Sequence, residues 1–206
     1  MDIERNECSC KVCRLCCRIM PSFLVPEDII PMMAETGFIE TEDFGKEGEG
    51  KVELDIKDIT PWAEEILLAS DGSIVKFGDD LITGGGNAMR VPTLVPRSRK
   101  NNCCVFYQKS TGMCDIHENA PYGCRMFDCK ISEEESQHKS TAAAVRLGYM
   151  WDTCMNKDSE NLSMNESMYC AIWLHLNNNG FKRQKTTMQL RAKLEKEIEK
   201  MKRGKE

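Results

Sequence analysis

Cys10-x2-Cys13-x2-Cys16-Cys17 places four thiols within eight residues, and Cys8 stands just upstream. A two-residue spacer lets a tight turn carry two thiolates onto one metal while the intervening backbone N–H groups point at the sulfurs. Three cysteines at successive two-residue gaps match the spacing with which bacterial ferredoxins supply three ligands to a [4Fe–4S] cube. The later Cys-Pro of that pattern is absent beside them, so a fourth ligand is expected from elsewhere in the chain. Cys17 abuts Cys16 and fits the same site awkwardly, which makes it a candidate for a second metal.

A second block supplies the missing thiols. Cys103-Cys104 is followed by Cys114, Cys124 and Cys129, at gaps of ten, ten and five from Cys104. Four such ligands satisfy a tetrahedral site without a CxxC turn. His117, three residues after Cys114, has a spacing compatible with a ligand, although a polar neighbour or a surface histidine is the simpler reading. Twelve cysteines in 206 residues is about 6%, below the roughly 8–10% of small disulfide scaffolds. Met1-Asp2-Ile3-Glu4-Arg5 runs into cysteines rather than an apolar stretch, so no export signal is expected. A reducing, cytoplasmic setting then favours metal binding or redox chemistry over disulfides. The bland alternative, buried thiols acting as small hydrophobes, suits scattered cysteines better than two tight blocks.

With both blocks in view, the chain resembles the YkgJ-type cysteine-cluster (CxxCxxCC) family, which is described as having a zinc- or iron-chelating domain. The resemblance implies eight ligands: Cys10, Cys13, Cys16, Cys17, Cys104, Cys114, Cys124 and Cys129. Pro121, Arg125 and Phe127 fall on the family's proline, arginine and aromatic positions. His117 replaces its usual tyrosine and Ala120 a common arginine, while Cys103 competes with Cys104 for one ligand place. Cys8, Cys154 and Cys170 have no counterpart, and the likeness is expected to cover residues 8–30 and 100–130 only. A bacterial flagellin lysine N-methylase has a similar signature with an iron–sulfur cluster, which keeps a methyltransferase reading open.

Eight thiolates suit either two Zn²⁺ ions or one [4Fe–4S] cluster with surplus cysteines. The ferredoxin-like gaps favour the [4Fe–4S] cluster, and the general abundance of Cys₄ zinc sites argues for Zn²⁺ as the alternative. A cluster ligated by four thiolates is anionic, so Arg125, Arg14 and Arg18 are candidate partners of the sulfurs, although surface arginine is the better reading of the last two. Gly84-Gly85-Gly86-Asn87 lacks GxGxxG and the Walker lysine, and reads as a plain loop. There is no HExxH motif and no Ser-His-Asp order.

Several elements must position these groups. Pro26–Thr36 reads as a short helix ended by Gly37, and Lys51–Ile56 alternates as a strand would. Thr60-Pro61 is an N-cap and first position for a helix over WAEEILLAS, and Asp71-Gly72 turns the chain into short strands at Ser73–Phe77 and Leu81–Thr83. Residues 84–100 read as a loop. Ser132-x-x-Glu135 and Ser163-x-x-Glu166 are capping boxes, opening helices to about Met150 and to Asn177–Gly180. Thr186-x-x-Gln189 opens a tail helix with Leu190, Leu194, Ile198 and Met201 along one stripe.

These readings give an α+β, mainly α fold: a single small cysteine-cluster metal-binding domain over 1–180, with irregular metal-wrapped segments, and a basic amphipathic C-terminal helix over 181–206. No run approaches the roughly 18 apolar residues of a membrane span, and mean hydropathy is −0.47. The net charge is −5, with the basic residues concentrated after Lys182. A basic tail on an acidic body does not read as a nucleic-acid-binding domain; the tail is assigned to docking on its own domain or on a protein partner. Three functions follow: a metal-binding protein whose cluster is structural or redox, a cluster-containing methylase, and an adaptor acting through the tail.

Overall fold

The computed structural model describes residues 23–40, 55–76, 88–99, 103–112, 114–116, 119–126, 133–156 and 159–182. A 3₁₀ turn at Pro26–Asp28 leads directly into helix α1 (Ile29–Glu35). The helix closes in a Schellman motif: Gly37 at φ +70° lets the Phe38 amide return to the Met33 carbonyl at 2.9 Å. Helix α2 spans Ile56–Ile66, capped by Asp55, whose side chain accepts from the Lys57 amide at 3.1 Å. Ile59, Trp62 and Ala63, at i, i+3 and i+4, form its buried stripe. The Trp62 indole N–H donates to the Thr36 hydroxyl at 2.9 Å, which ties α2 to the end of α1.

Strand β1 (Leu67–Lys76) pairs antiparallel with β2 (Ala88–Pro96) in a two-stranded ribbon. Ser70 faces Thr93 but Ser73 faces Val91, so Asp71 and Gly72 oppose the single residue Pro92. That is a β-bulge placed where proline has no N–H to contribute to the ladder. The Pro92 carbonyl instead accepts from the Trp151 indole at 2.9 Å. Beyond Phe181, the chain returns to the outer edge of β1, where the Ala69 amide donates to the Phe181 carbonyl at 2.9 Å.

Among the described residues, three further α-helices follow: the short α3 (Tyr122–Met126), α4 (Glu133–Met155) and α5 (Met164–Asn178). Ser163 and Glu166 cap α5 reciprocally: the Ser163 amide donates to Glu166 Oε2 at 2.9 Å, and the Glu166 amide to Ser163 Oγ at 3.3 Å. At the other end Gly180, at φ +78°, repeats the Schellman geometry with Phe181 donating to Leu176 at 2.8 Å. Helix α5 is the centre of the packing and touches α2, both strands and the Pro26–Asp28 turn. Its Tyr169, Ile172 and Leu176 are almost fully buried, and burial of each such side chain is worth about 1.5–3 kcal/mol.

The fold is α+β and mainly α, as the sequence implies. Several local readings are corrected. Helix α2 starts at Ile56, four residues before Thr60, so Pro61 lies inside it and Ile56 is helical rather than the end of a strand. Leu67–Ser70 leaves the expected helix for β1, because β2 offers Val91, Thr93, Leu94 and Val95 as pairing partners and tertiary pairing overrides local propensity. The expected turn at Asp71-Gly72 is the bulge, and much of the expected loop over 84–100 is β2. The Ala-rich helix continues to Met155 rather than ending near Met150. Leu81–Thr83, the glycine run at 84–86, Ser132 and the tail helix lie outside the described residues.

Candidate metal centre

Three of the eight expected ligands, Cys104, Cys114 and Cys124, fall among the described residues. Cys10, Cys13, Cys16, Cys17 and Cys129 lie outside them, as do Cys8 and His117. Among the described residues, no three His, Cys, Asp or Glu side chains gather in a metal-holding group.

Cys104 sits on a continuation of the β-ribbon. Past Pro96, the Arg97 amide donates back to the Ile66 carbonyl at 2.7 Å, and the Arg99 amide donates to the Cys103 carbonyl at 2.7 Å. The Val105 amide returns to the Arg97 carbonyl at 2.8 Å, which makes Ser98 and Cys104 bridge partners. Cys103 and Cys104 are each 7% exposed and belong to the main core, so the backbone presents two buried neighbouring cysteines. The Tyr107 amide donates to the Cys104 carbonyl at 3.1 Å, and Tyr107 is in turn the bridge partner of Cys114. A turn around Gly112 (φ +70°) closes that small loop. One compact backbone fold therefore carries Cys103, Cys104 and Cys114.

Cys124 is placed by a different device. Pro121 precedes α3, and its carbonyl accepts from the Cys124 and Arg125 amides at 2.7 and 3.0 Å. The N-terminus of α3 rests on Asp28, whose carboxylate is 1% exposed. Asp28 Oδ2 accepts from the Tyr122 amide at 2.8 Å and from the Val25 amide at 2.9 Å; Oδ1 accepts from the Arg125 guanidinium at 2.9 Å. One side chain thus joins the 3₁₀ turn at 26–28 to the helix that carries Cys124. Burial raises the Asp28 carboxyl from 3.8 to about 6, outweighing the Tyr122 and Val25 amides and Arg125, which favour the charge.

Phe23 completes this junction. Its carbonyl accepts from the Gly123 amide at 3.2 Å, and its ring lies 6.1 Å from that of Tyr122. Leu24 is fixed in turn by donation to the Leu94 carbonyl at 2.9 Å. The buried Tyr169 hydroxyl donates to the Leu24 carbonyl at 2.9 Å and accepts from the Leu94 amide at 2.8 Å. Desolvation pushes the Tyr169 phenol far above its ordinary range, so it stays a neutral bridge. Glu27, next to Asp28, pairs with Arg146 of α4.

Asp28, Phe23 and Tyr169 are the positioning residues that sequence reasoning missed. Pro26-Glu27-Asp28 reads locally as the acidic first turn of a helix, and a bond to residues 94 and 97 positions away leaves no local signal. Arg125, expected as a partner of sulfur, has the Asp28 carboxylate as its ion-pair partner.

A family model described as "CxxCxxCC: Putative zinc- or iron-chelating domain" matches residues 9–201. The likeness therefore runs through the middle and the C-terminal third, beyond the two stretches expected to carry it. No curated protein and no solved structure matches.

Proposed function

The chain belongs to the CxxCxxCC family of zinc- or iron-chelating domains, and on that premise we propose that its two cysteine blocks share one metal centre, a [4Fe–4S] cluster with a structural or redox role. The ligands in this reading are drawn from Cys10, Cys13, Cys16 and Cys17 on one side and Cys104, Cys114, Cys124 and Cys129 on the other. The carrying observation is the junction at Phe23 and Asp28. The Gly123 amide, adjacent to Cys124, bonds the Phe23 carbonyl, and Cys17 is six residues before Phe23. Six residues extend at most roughly 20–22 Å, so the chain itself keeps the first block within reach of the second.

The donor set suits the metal. Thiolates are the ligands of Fe–S clusters and of structural zinc, and they bind as anions that lose their protons to solvent. The bound group would supply a redox-active or purely cross-linking centre; the chain supplies the sulfurs, and Asp28 holds the helix that carries one of them. The two successive two-residue gaps that join Cys10, Cys13 and Cys16 favour the iron–sulfur cluster over zinc.

Anaerobic purification, an absorption spectrum and assays of iron, zinc and acid-labile sulfide test this. A broad band near ~400 nm with about four iron and four sulfide per chain is expected. A colourless protein with one or two zinc ions would overturn the cluster and leave a zinc clasp built from the same residues. Single Cys10→Ser and Cys124→Ser variants then test sharing: each lowers the metal content of the one centre, and retention of full content by either removes that residue from it.

A further inference from the structure

Two cysteines outside both blocks face each other across α4 and α5. These helices run antiparallel, joined by the connector that contains the 3₁₀ turn Ser159–Asn161. Trp151 of α4 and Trp173 of α5 meet edge to face, with ring centroids 5.2 Å apart and planes at 71°. Three residues on in α4 stands Cys154, and three residues back in α5 stands Cys170. The pairing that joins the tryptophans therefore sets the cysteines opposite one another one turn away, and their side chains are in hydrogen-bonding contact. Cys170 is 3% exposed and packs in the core, whereas Cys154 is half-buried at its edge. Burial first, and the Cys154 contact next, hold the Cys170 thiol in its protonated form.

We propose that Cys154 and Cys170 are a reversible dithiol–disulfide couple that locks the α4–α5 hairpin when a small peroxide reaches it. Cys154, as its thiolate, attacks one peroxide oxygen; the O–O bond breaks, a sulfenic acid forms, and the departing hydroxide takes a proton to become water. The Cys170 sulfur then displaces the hydroxyl group from the Cys154 sulfur, and its own proton leaves with that group as a second water. Two thiols lose two electrons in all, and one peroxide is reduced to two waters. An external dithiol such as dithiothreitol reverses the step by thiol–disulfide exchange.

The cross-link can be read directly on the full chain. Trypsin cleavage after Arg146, Lys157 and Lys182 separates Cys154, in peptide 147–157, from Cys170, in peptide 158–182, and each peptide holds no other cysteine. The reduced protein is exposed to hydrogen peroxide, alkylated with N-ethylmaleimide, digested without reductant and mapped by mass spectrometry. The expected result is loss of both alkylated peptides, their recovery as one linked species, and return of the separate peptides after dithiothreitol. The same treatment in concentrated urea should lose most of the linked species, because the pairing depends on the helix register. In Cys170→Ser, Cys154 should stop at the sulfenic acid and be trapped by dimedone. Persistence of both alkylated peptides while other cysteines oxidise would overturn the proposal, as would linkage of Cys154 to a different cysteine.

Discussion

Replacing Asp28 tests whether one buried carboxylate positions the helix that carries Cys124. In Asp28→Ala the Val25 and Tyr122 amides lose their acceptor. A buried donor left unsatisfied costs about 1–3 kcal/mol. The Arg125 side chain is 29% exposed and can rehydrate, so the lost ion pair adds little. We expect Asp28→Ala to lose about 2–4 kcal/mol at pH 7, read from urea unfolding by tryptophan fluorescence under anaerobic conditions. Asp28→Asn keeps an oxygen for the two amides and serves as the pH control. A carboxyl raised from 3.8 to about 6 binds more protons folded than unfolded, so its contribution is fully present below pH 3.8 and declines as pH rises through 6. The whole effect is about 3 kcal/mol, of which about 1 kcal/mol falls between pH 5 and pH 7. The stability of the natural protein relative to Asp28→Asn should therefore rise by about 1 kcal/mol on going from pH 7 to pH 5. Comparing the two proteins cancels the titration of the other carboxylates and of the cysteines. A relative stability that falls on acidification would refute the reasoning, since Arg125 and the amides would then outweigh burial. A loss below about 1 kcal/mol in Asp28→Ala would remove the clasp altogether.

Other consequences can be measured with the same unfolding assay and with metal analysis. Tyr169→Phe removes the hydroxyl that bridges Leu24 and Leu94 and should cost about 1–3 kcal/mol, with metal content falling if the Phe23–Asp28 junction loosens. Ser163→Ala breaks the α5 capping box and should cost about 1 kcal/mol while leaving metal content unchanged, which makes it a control for stability alone. Chelation, or extrusion of a cluster, should broaden the urea transition and raise dye binding to exposed apolar surface; an unchanged transition would show that the fold stands without the metal.

Local chemistry was legible in this sequence, and long-range pairing was not. Ser163-x-x-Glu166 forms the capping box it spells, and Asn177–Gly180 ends the helix through a positive-φ glycine. Both are contacts between residues fewer than six positions apart. The two-residue cysteine spacings are a local signal of the same kind, and they led to the family whose model matches residues 9–201. By contrast, Leu67–Ser70 continues an apolar run that suits helix and strand alike, and only the presence of β2, some twenty-five residues later, decides for strand. Asp71-Gly72 spells a turn, yet opposite a proline the same dipeptide serves as a bulge. Asp28 was invisible as a positioning residue because its partners Tyr122 and Arg125 lie 94 and 97 positions away, a separation that no local spacing signals.

The arrangement also explains why a metal and this fold suit each other. Among the described residues, the stretch between β2 and α4 contains little regular structure: two isolated bridges and the five-residue α3. A five-residue helix has about one hydrogen-bonded turn and cannot hold itself together in water. Its stability must come from outside, and the structure supplies Asp28 at its N-terminus and the Phe23 carbonyl beside Cys124. Asp28 does so at a cost, because burial opposes its charge at neutral pH. That penalty offsets part of the stability Asp28 gives α3, while its bonds to Val25, Tyr122 and Arg125 fix where α3 sits against the segment that emerges from the first cysteine block. Metal bonds between the two blocks would add the stability that this junction lacks. Loss of the metal should accordingly loosen α3 and the 103–116 loops first, while α5 and its buried Tyr169, Ile172 and Leu176 stay protected. Hydrogen exchange with and without metal would read that order directly, and protection lost first in α5 would contradict it.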